Sequence, residues 1–179
     1  KKAPVALDLN GIAKGYGVDQ LAAVLRDAGI DDYMVEIGGD LIASGKNPSG
    51  ESWRIGIERP DAASQTVEEV VDLSNLGMAT SGDYRNYFEQ DGIRYSHIID
   101  AGTGRPITHG TASVTVLAPD AMMADGWATA LLVLGQERGL AIAEKEGLAV
   151  LFIARKADSS ETGFEITVSS QFAKLQAKQ

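Results

Sequence analysis

The spacing of apolar side chains divides the chain into short alternating runs, long helical stretches and glycine-marked turns. Val5-Ala6-Leu7-Asp8-Leu9 alternates and predicts a strand, which Asn10-Gly11 breaks. From Ile12 to Ala28 the apolar residues Val18, Leu21, Ala22 and Leu25 recur at helical spacing, and Gly29 fits the stop of such a helix. Tyr33–Ile37 and Leu41–Ala43 read as strands around Gly38-Gly39, followed by Trp53–Glu58 and Val67–Leu73. Tyr84–Gln90 and Ile93–Asp100 flank Asp91-Gly92, the preferred pair for a tight hairpin turn. Gly102 to Pro106 predicts a loop and Ala112–Leu117 a strand. Pro119 and Asp120 open a helix towards Leu134 that is apolar nearly all round and therefore buried, and Gly135 separates it from a second helix over Glu137–Lys145. Leu148–Ala154 and Phe164–Val168 close the chain as strands around a polar loop, Arg155–Thr162. Hairpins dominate over strand–helix alternation, so the predicted class is α+β: mainly antiparallel sheet with packed helices.

Composition narrows the function. With 44% apolar and 23% charged residues and no repeat, residues 1–179 read as a single globular domain. Sixteen basic against twenty-five acidic side chains give a net charge of −9, which argues against a nucleic-acid partner. Any bound phosphate must then be held locally, by backbone N–H groups, a single Lys or a metal ion. The absence of cysteine excludes disulfides, thiolate chemistry and Cys-based zinc sites.

Five segments carry candidate chemistry. Asp125 and Thr129 are four apart and share one face of the apolar helix. Two readings stand: Asp125 caps a helix or pairs with an Arg while Thr129 bonds back to its own helix, or the two oxygens hold a hard cation such as Mg²⁺ together with carbonyls and water. The run Asp8 to Gly17 places glycines and Lys14 at a strand-to-helix junction, able to offer N–H groups and a cation to a phosphate. It matches neither the Walker nor the Rossmann glycine pattern, and by itself a turn followed by a solvated Lys is the commoner explanation of such a run. Gly38-Gly39 and Thr80-Ser81-Gly82 are short turns that could approach a ligand closely, or plain turns. Of the two histidines, His97 precedes a Gly-rich loop, where its near-neutral pKa would suit a general base, whereas His109 reads as a surface residue.

In order along the chain, several blocks resemble the ApbE family of FAD:protein FMN transferases. They are Asp8-Leu9-Asn10-Gly11-Ile12-Ala13-Lys14-Gly15-Tyr16, Ile37-Gly38-Gly39-Asp40 with Ala43-Ser44-Gly45, and Trp53-Arg54-Ile55-Gly56-Ile57. Ala79-Thr80-Ser81-Gly82-Asp83-Tyr84 comes next, then Ser96-His97-Ile98-Ile99-Asp100 with Thr103-Gly104-Arg105-Pro106, Ser113-Val114-Thr115-Val116, and Ala124-Asp125-Gly126-Trp127-Ala128-Thr129-Ala130-Leu131. The resemblance implies a T-fold-related architecture and Mg²⁺-dependent transfer of FMN from FAD to a Thr or Ser hydroxyl of an acceptor protein, with release of AMP. Non-catalytic FAD binding and FAD pyrophosphatase activity are the alternatives on the same fold. It implies Asp125, Thr129 and the Ala13 carbonyl as metal ligands and His97 as the base. Asn10, Lys14, Tyr16, Gly38, Gly39, Thr80, Ser81, Gly82, His97 and Ile98 fall where the family surrounds the flavin dinucleotide. Redox-complex subunits as acceptors, a periplasmic location and an inner-membrane tether through an N-terminal lipid anchor are further expectations of the resemblance. The chain departs from the pattern at Ala101, where Pro is common, and at Asn10 and Gly17, where Gly and Ala are commoner. It also lacks the family's long segment before the Asp8 block, so the expected domain is the C-terminal portion of the full length.

Overall fold

Period-two alternation in the central strands gives the sheet two buried faces, and everything else packs onto one or the other. The computed structural model describes residues 4, 6, 8–61, 66–84, 87–90, 93–156 and 163–177. Its six-stranded antiparallel sheet has the order β1-β2-β5-β10-β11-β12, formed by Tyr33–Ile37, Asp40–Ser44, Leu76–Gly82, Thr111–Ala118, Ala149–Arg155 and Phe164–Val168. On one face, Ala79, Val114, Val116, Val150 and Phe152 pack with Leu131 and Leu132 of the long helix α2, Ala121–Glu146. Beside it, Ile42 packs on Val18 and Ala22 of α1, Asn10–Asp27. On the other face, Leu41, Met78, Leu117, Leu151 and Ile153 meet Ile57, Val71 and Leu73 of the hairpin β3–β4, Trp53–Glu58 and Val67–Leu73, with Phe172 of α3, Ser170–Gln176. Each fully buried Leu or Phe of this kind contributes roughly 1.5–3 kcal/mol. Two small ribbons complete the fold: β6–β7 (Tyr87–Gln90, Ile93–Ser96) and β8–β9 (Ile99–Asp100, Arg105–Pro106).

Helix ends follow their local chemistry. Asp120 caps α2 by accepting from Met123 N at 2.8 Å, and Gly147 ends it with φ 66°, the left-handed value that suits glycine. Gly135 separates two helical stretches as expected: its φ of 76° and ψ of 167° are non-helical and kink α2 there. The backbone groups freed there find partners on the neighbouring chain segment: Gln136 N donates to Thr111 Oγ1 at 2.9 Å, and His109 Nε2 lies 3.3 Å from Val133 O. A Cβ at Gly135 would come within 2.8 Å of the His109 ring. His109 is therefore half-buried against the helix break, not a surface residue.

Other expectations need correction. No strand forms at Asp8-Leu9; Asn10 begins α1 there, and Val5 and Leu7 lie outside the described residues. Leu21, expected on the core face of α1, is exposed, because the buried stripe runs Gly15, Val18, Ala22. The segment Thr80-Ser81-Gly82 is not a turn but the end of β5, a central strand. The Asp91-Gly92 turn and most of the Arg155–Thr162 loop lie outside the described residues, although Gln90 does pair with Ile93 in an antiparallel hairpin.

α1 and α2 run antiparallel, and their contact is closer than ordinary side chains allow. A Cβ at Gly15 would lie 2.3 Å from Ala121 O, and one at Gly77 of β5 would lie 2.5 Å from Ala121 N. The first turn of α2 is thus held between the two glycines. Asp19 of α1 fixes it there, its carboxylate accepting from Ala121 N and Met122 N at 2.9 Å each, which satisfies two otherwise orphaned helix N–H groups. In an ordinary helix interior Gly→Ala stabilises by about 1 kcal/mol. At this contact the sign reverses: Gly15→Ala and Gly77→Ala are each expected to lower the unfolding free energy by about 2–3 kcal/mol in urea melts. Unchanged or increased stability would contradict the close approach.

Candidate active site

The clamp on α2 sets the register of everything beyond it. One turn on, Asp125 is 3% exposed and accepts from Gly15 N at 3.1 Å. A second turn on, Thr129 packs against Gly11, where a Cβ would come within 3.3 Å of its methyl group, and Thr129 Oγ1 lies 3.2 Å from Ser81 Oγ of β5. Ala13 falls between these two contacts on α1. Asp125 therefore caps no helix of its own, and Thr129 reaches another element. The Gly-Lys run is likewise helical, inside α1, rather than a strand-to-helix loop.

Lys14, next to Gly15, reaches across to β2, where its Nζ lies 2.8 Å from Asp40 Oδ2. Asp40 is 1% exposed and the Lys14 side chain 44%. Burial pushes the Asp40 carboxyl up to about 6; the ion pair with Lys14 opposes that rise, and the charge of the Asp125 carboxylate adds to it. The sequence alone does not single out Asp40 as a site residue. The available signal was a carboxylate directly after Gly38-Gly39 that opens the apolar strand Leu41-Ile42-Ala43.

β5 divides the site between the two faces of the sheet. Ser81 points to the helices, whereas Thr80 and Gly82 point the other way into a cleft of about 580 Å³, a volume typical of small-molecule sites. Thr80 Oγ1 is held by Thr115 Oγ1 at 2.8 Å. One wall of the cleft is β3, from Ile55 to Glu58, whose start is pinned to β2 by Trp53 Nε1 donating to Ser44 O at 2.9 Å. Its lip is the β1–β2 turn, where Gly38 and Gly39 have φ of 57° and 93°, both in the left-handed region, and Gly39 N donates to Glu36 Oε1. Tyr84 covers Gly82, where a Cβ would lie 2.6 Å from the ring. The adjacent Asp83 is buried and tied to Arg155 at 2.6 Å.

Of the residues expected around a flavin, Gly38, Gly39, Thr80, Gly82 and His97 line this cleft. Lys14 stands at its lip, with Cδ 3.5 Å from where a Gly38 Cβ would be. Asn10, Tyr16, Ser81 and Ile98 do not line it. Asn10 bonds to Asp8, Tyr16 is 53% exposed on α1, and Ile98 packs on the α2 core. The cleft residues Glu36, Glu58 and Tyr84 and the β3 wall were missed, because only tertiary packing brings β3 over the sheet.

The oxygen set of Asp125, Thr129 and Ser81 is hard and sparse. Among the described residues no group of three or more His, Cys, Asp or Glu gathers to hold a metal. Such a set fits a small divalent cation that retains water and shares substrate oxygens better than it fits zinc or a caged calcium.

Comparison with known proteins places the chain in a family. The ApbE family model matches residues 1–152. The chain is 51% identical over 172 residues to an FAD:protein FMN transferase of Vibrio cholerae, covering 96% of this chain and 50% of that protein. It is 46% identical over 156 residues to an FAD:protein FMN transferase of Escherichia coli K12, covering 87% and 44% respectively. The crystal structure of Pseudomonas stutzeri flavinyl transferase ApbE in its apo form superposes with a TM-score of 0.82 at 47% identity, over 95% of this chain and 51% of that one. The Vibrio cholerae flavin transferase ApbE gives a TM-score of 0.84 at 48% identity, over 97% and 54%. The α+β fold, an antiparallel sheet with packed helices, is thus that of solved ApbE structures, and the chain belongs to the ApbE family. It spans about half the length of the curated relatives it matches.

The raised Asp40 carboxyl has a consequence for stability. Between the ordinary carboxyl value of 3.8 and about 6, the folded protein holds a proton that the unfolded chain has lost. Stability contributed by this group is present below pH 4 and is lost as pH rises through 6. In metal-free buffer, wild-type unfolding free energy should fall over that window relative to Asp40→Asn. Parallel pH profiles would contradict the buried carboxyl.

Proposed function

We propose that the protein transfers FMN from FAD to a Thr or Ser hydroxyl of an acceptor protein. The observation that carries this reading is the division of one strand, β5, between a glycine-lipped cleft and a half-buried hydroxyl pair, Ser81 and Thr129, next to the buried Asp125. A flavin dinucleotide has an apolar ring system to seat in a cleft and a pyrophosphate to meet a cation, and the two halves of this site adjoin where Lys14 stands beside Gly38. Membership of a family whose matched relatives carry the name FAD:protein FMN transferase supports the same conclusion.

In this reading Asp125 and Thr129 hold Mg²⁺, with Ser81 beside Thr129 and the Ala13 carbonyl as a backbone ligand. When bound, Mg²⁺ supplies charge neutralisation at the pyrophosphate. The acceptor hydroxyl oxygen attacks the FMN phosphorus, the bond from that phosphorus to the oxygen of AMP breaks, and AMP leaves with that oxygen. His97, exposed at the cleft, takes the hydroxyl proton. Lys14 and the Gly38 N–H at the cleft lip offer local positive character, which an acidic protein of net charge −9 needs in order to hold an anion. The acceptors are proteins that carry an accessible Thr or Ser, of which redox-complex subunits are the natural class.

The test uses the intact gene product with FAD, Mg²⁺ and an acceptor bearing the target Thr, read by in-gel flavin fluorescence and AMP release. Asp125→Ala should reduce transfer by about two orders of magnitude or more. His97→Ala should lower kcat about 100-fold or more while FAD affinity stays within about threefold. Full transfer by both variants would sink the proposal, and AMP release without labelling would instead favour FAD hydrolysis.

A further inference from the structure

Asp40 is the buried charge that packing explains least. Its carboxylate is 1% exposed, whereas Lys14, which pairs with it at 2.8 Å, keeps 44% of its side-chain surface in water. A buried carboxylate with a single half-hydrated partner generally loses more in hydration than the pair returns, and an isosteric amide avoids that loss. Asp40 is therefore a poor stabiliser of the fold. Its neighbours suggest another use. Lys14 and Gly15 are consecutive on α1: Lys14 Nζ reaches Asp40, and Gly15 N donates to Asp125 Oδ2 at 3.1 Å. Asp40 and Asp125 thus flank the same two residues of α1, and the like charge of Asp125 is one cause of the raised Asp40 carboxyl. The Lys14 stem passes Gly38 at the cleft lip.

We propose that Asp40 is a positioning residue of this site, which ties the Lys14 ammonium to the Gly38-Gly39 lip and supplies, beside Asp125, the second carboxylate charge that draws a divalent cation to the Asp125–Thr129 pair. The inference rests on the cation site of the proposed transferase. One ammonium against two carboxylates leaves a net negative charge that a divalent ion neutralises, and a monovalent ion does so with less gain. Loss of a group that supports a metal ligand typically weakens metal binding 10–100-fold.

The experiment is a titration of the intact protein with Mn²⁺ alone, without FAD, followed by the electron paramagnetic resonance of free Mn²⁺ at pH 7.5. Melting in EDTA is measured in parallel. Wild type, Asp125→Ala and Asp40→Asn are compared. Asp125→Ala should abolish the site, and Asp40→Asn should raise the Mn²⁺ Kd about 10–100-fold with a midpoint in EDTA equal to or above that of wild type. Wild-type affinity in Asp40→Asn, or a lower midpoint in EDTA, assigns Asp40 a structural role and overturns the proposal while leaving the cation site intact. Equal Mn²⁺ binding by wild type and Asp125→Ala removes the cation site itself, and this inference with it.

Discussion

The close seating of the first turn of α2 between Gly15 and Gly77 is the constraint on which the rest of the molecule depends. Backbone meets backbone on both sides, so neither neighbour has a flexible side chain that could yield. Asp19 then removes the remaining freedom by accepting two of the helix's free N–H groups. Once that turn is fixed, helical geometry places the later turns of α2. Asp125 arrives at Gly15 one turn later, and Thr129 arrives at Gly11 and Ser81 one turn after that. The candidate cation ligands are placed by rigid elements on three sides rather than by a loop, which is the condition a metal site needs to keep its geometry.

The sheet adds a second constraint. Strict alternation along β5 sends Ser81 to the helices and Thr80 and Gly82 to the cleft, so adjacent residues serve different halves of one site. The halves come together at the β1–β2 turn, where Lys14 and Asp40 link α1 to the glycine lip. In the proposed function, this arrangement is what lets an acidic protein hold an anionic substrate. The local positive character is then the Lys14 ammonium and the proposed cation, while the overall charge stays negative.

Much of this was legible in the sequence, and the exceptions share a cause. The strands Trp53–Glu58, Val67–Leu73 and Phe164–Val168 were readable to the residue, since their alternation is bounded by polar or turn-forming neighbours. The Asp125–Thr129 face and the Gly38-Gly39 turn were readable because spacing and backbone chemistry act locally. β5 was not, since Leu76-Gly77-Met78-Ala79-Thr80-Ser81-Gly82 has little β propensity. Its glycines answer to α2 and Tyr84, contacts distant or local that only the folded chain reveals. The same holds for α3, whose seven residues depend on the Ser169 cap and the buried Phe172, and for His109, which looked exposed until the break at Gly135 gave it a partner. Asp40 stands within a recognisable motif, yet nothing in one dimension places it beside Asp125.

The measurement that bears most directly on the account is anomalous diffraction from crystals of the intact protein grown with FAD and Mn²⁺. One Mn²⁺ peak is expected, bonded to the Asp125 carboxylate and Thr129 Oγ1 on the helix face of β5. Flavin density is also expected, in the cleft beside Thr80 and Gly82 on the opposite face. A cation bound elsewhere, or a flavin seated away from that cleft with Asp125 and Thr129 untouched, would contradict this placement.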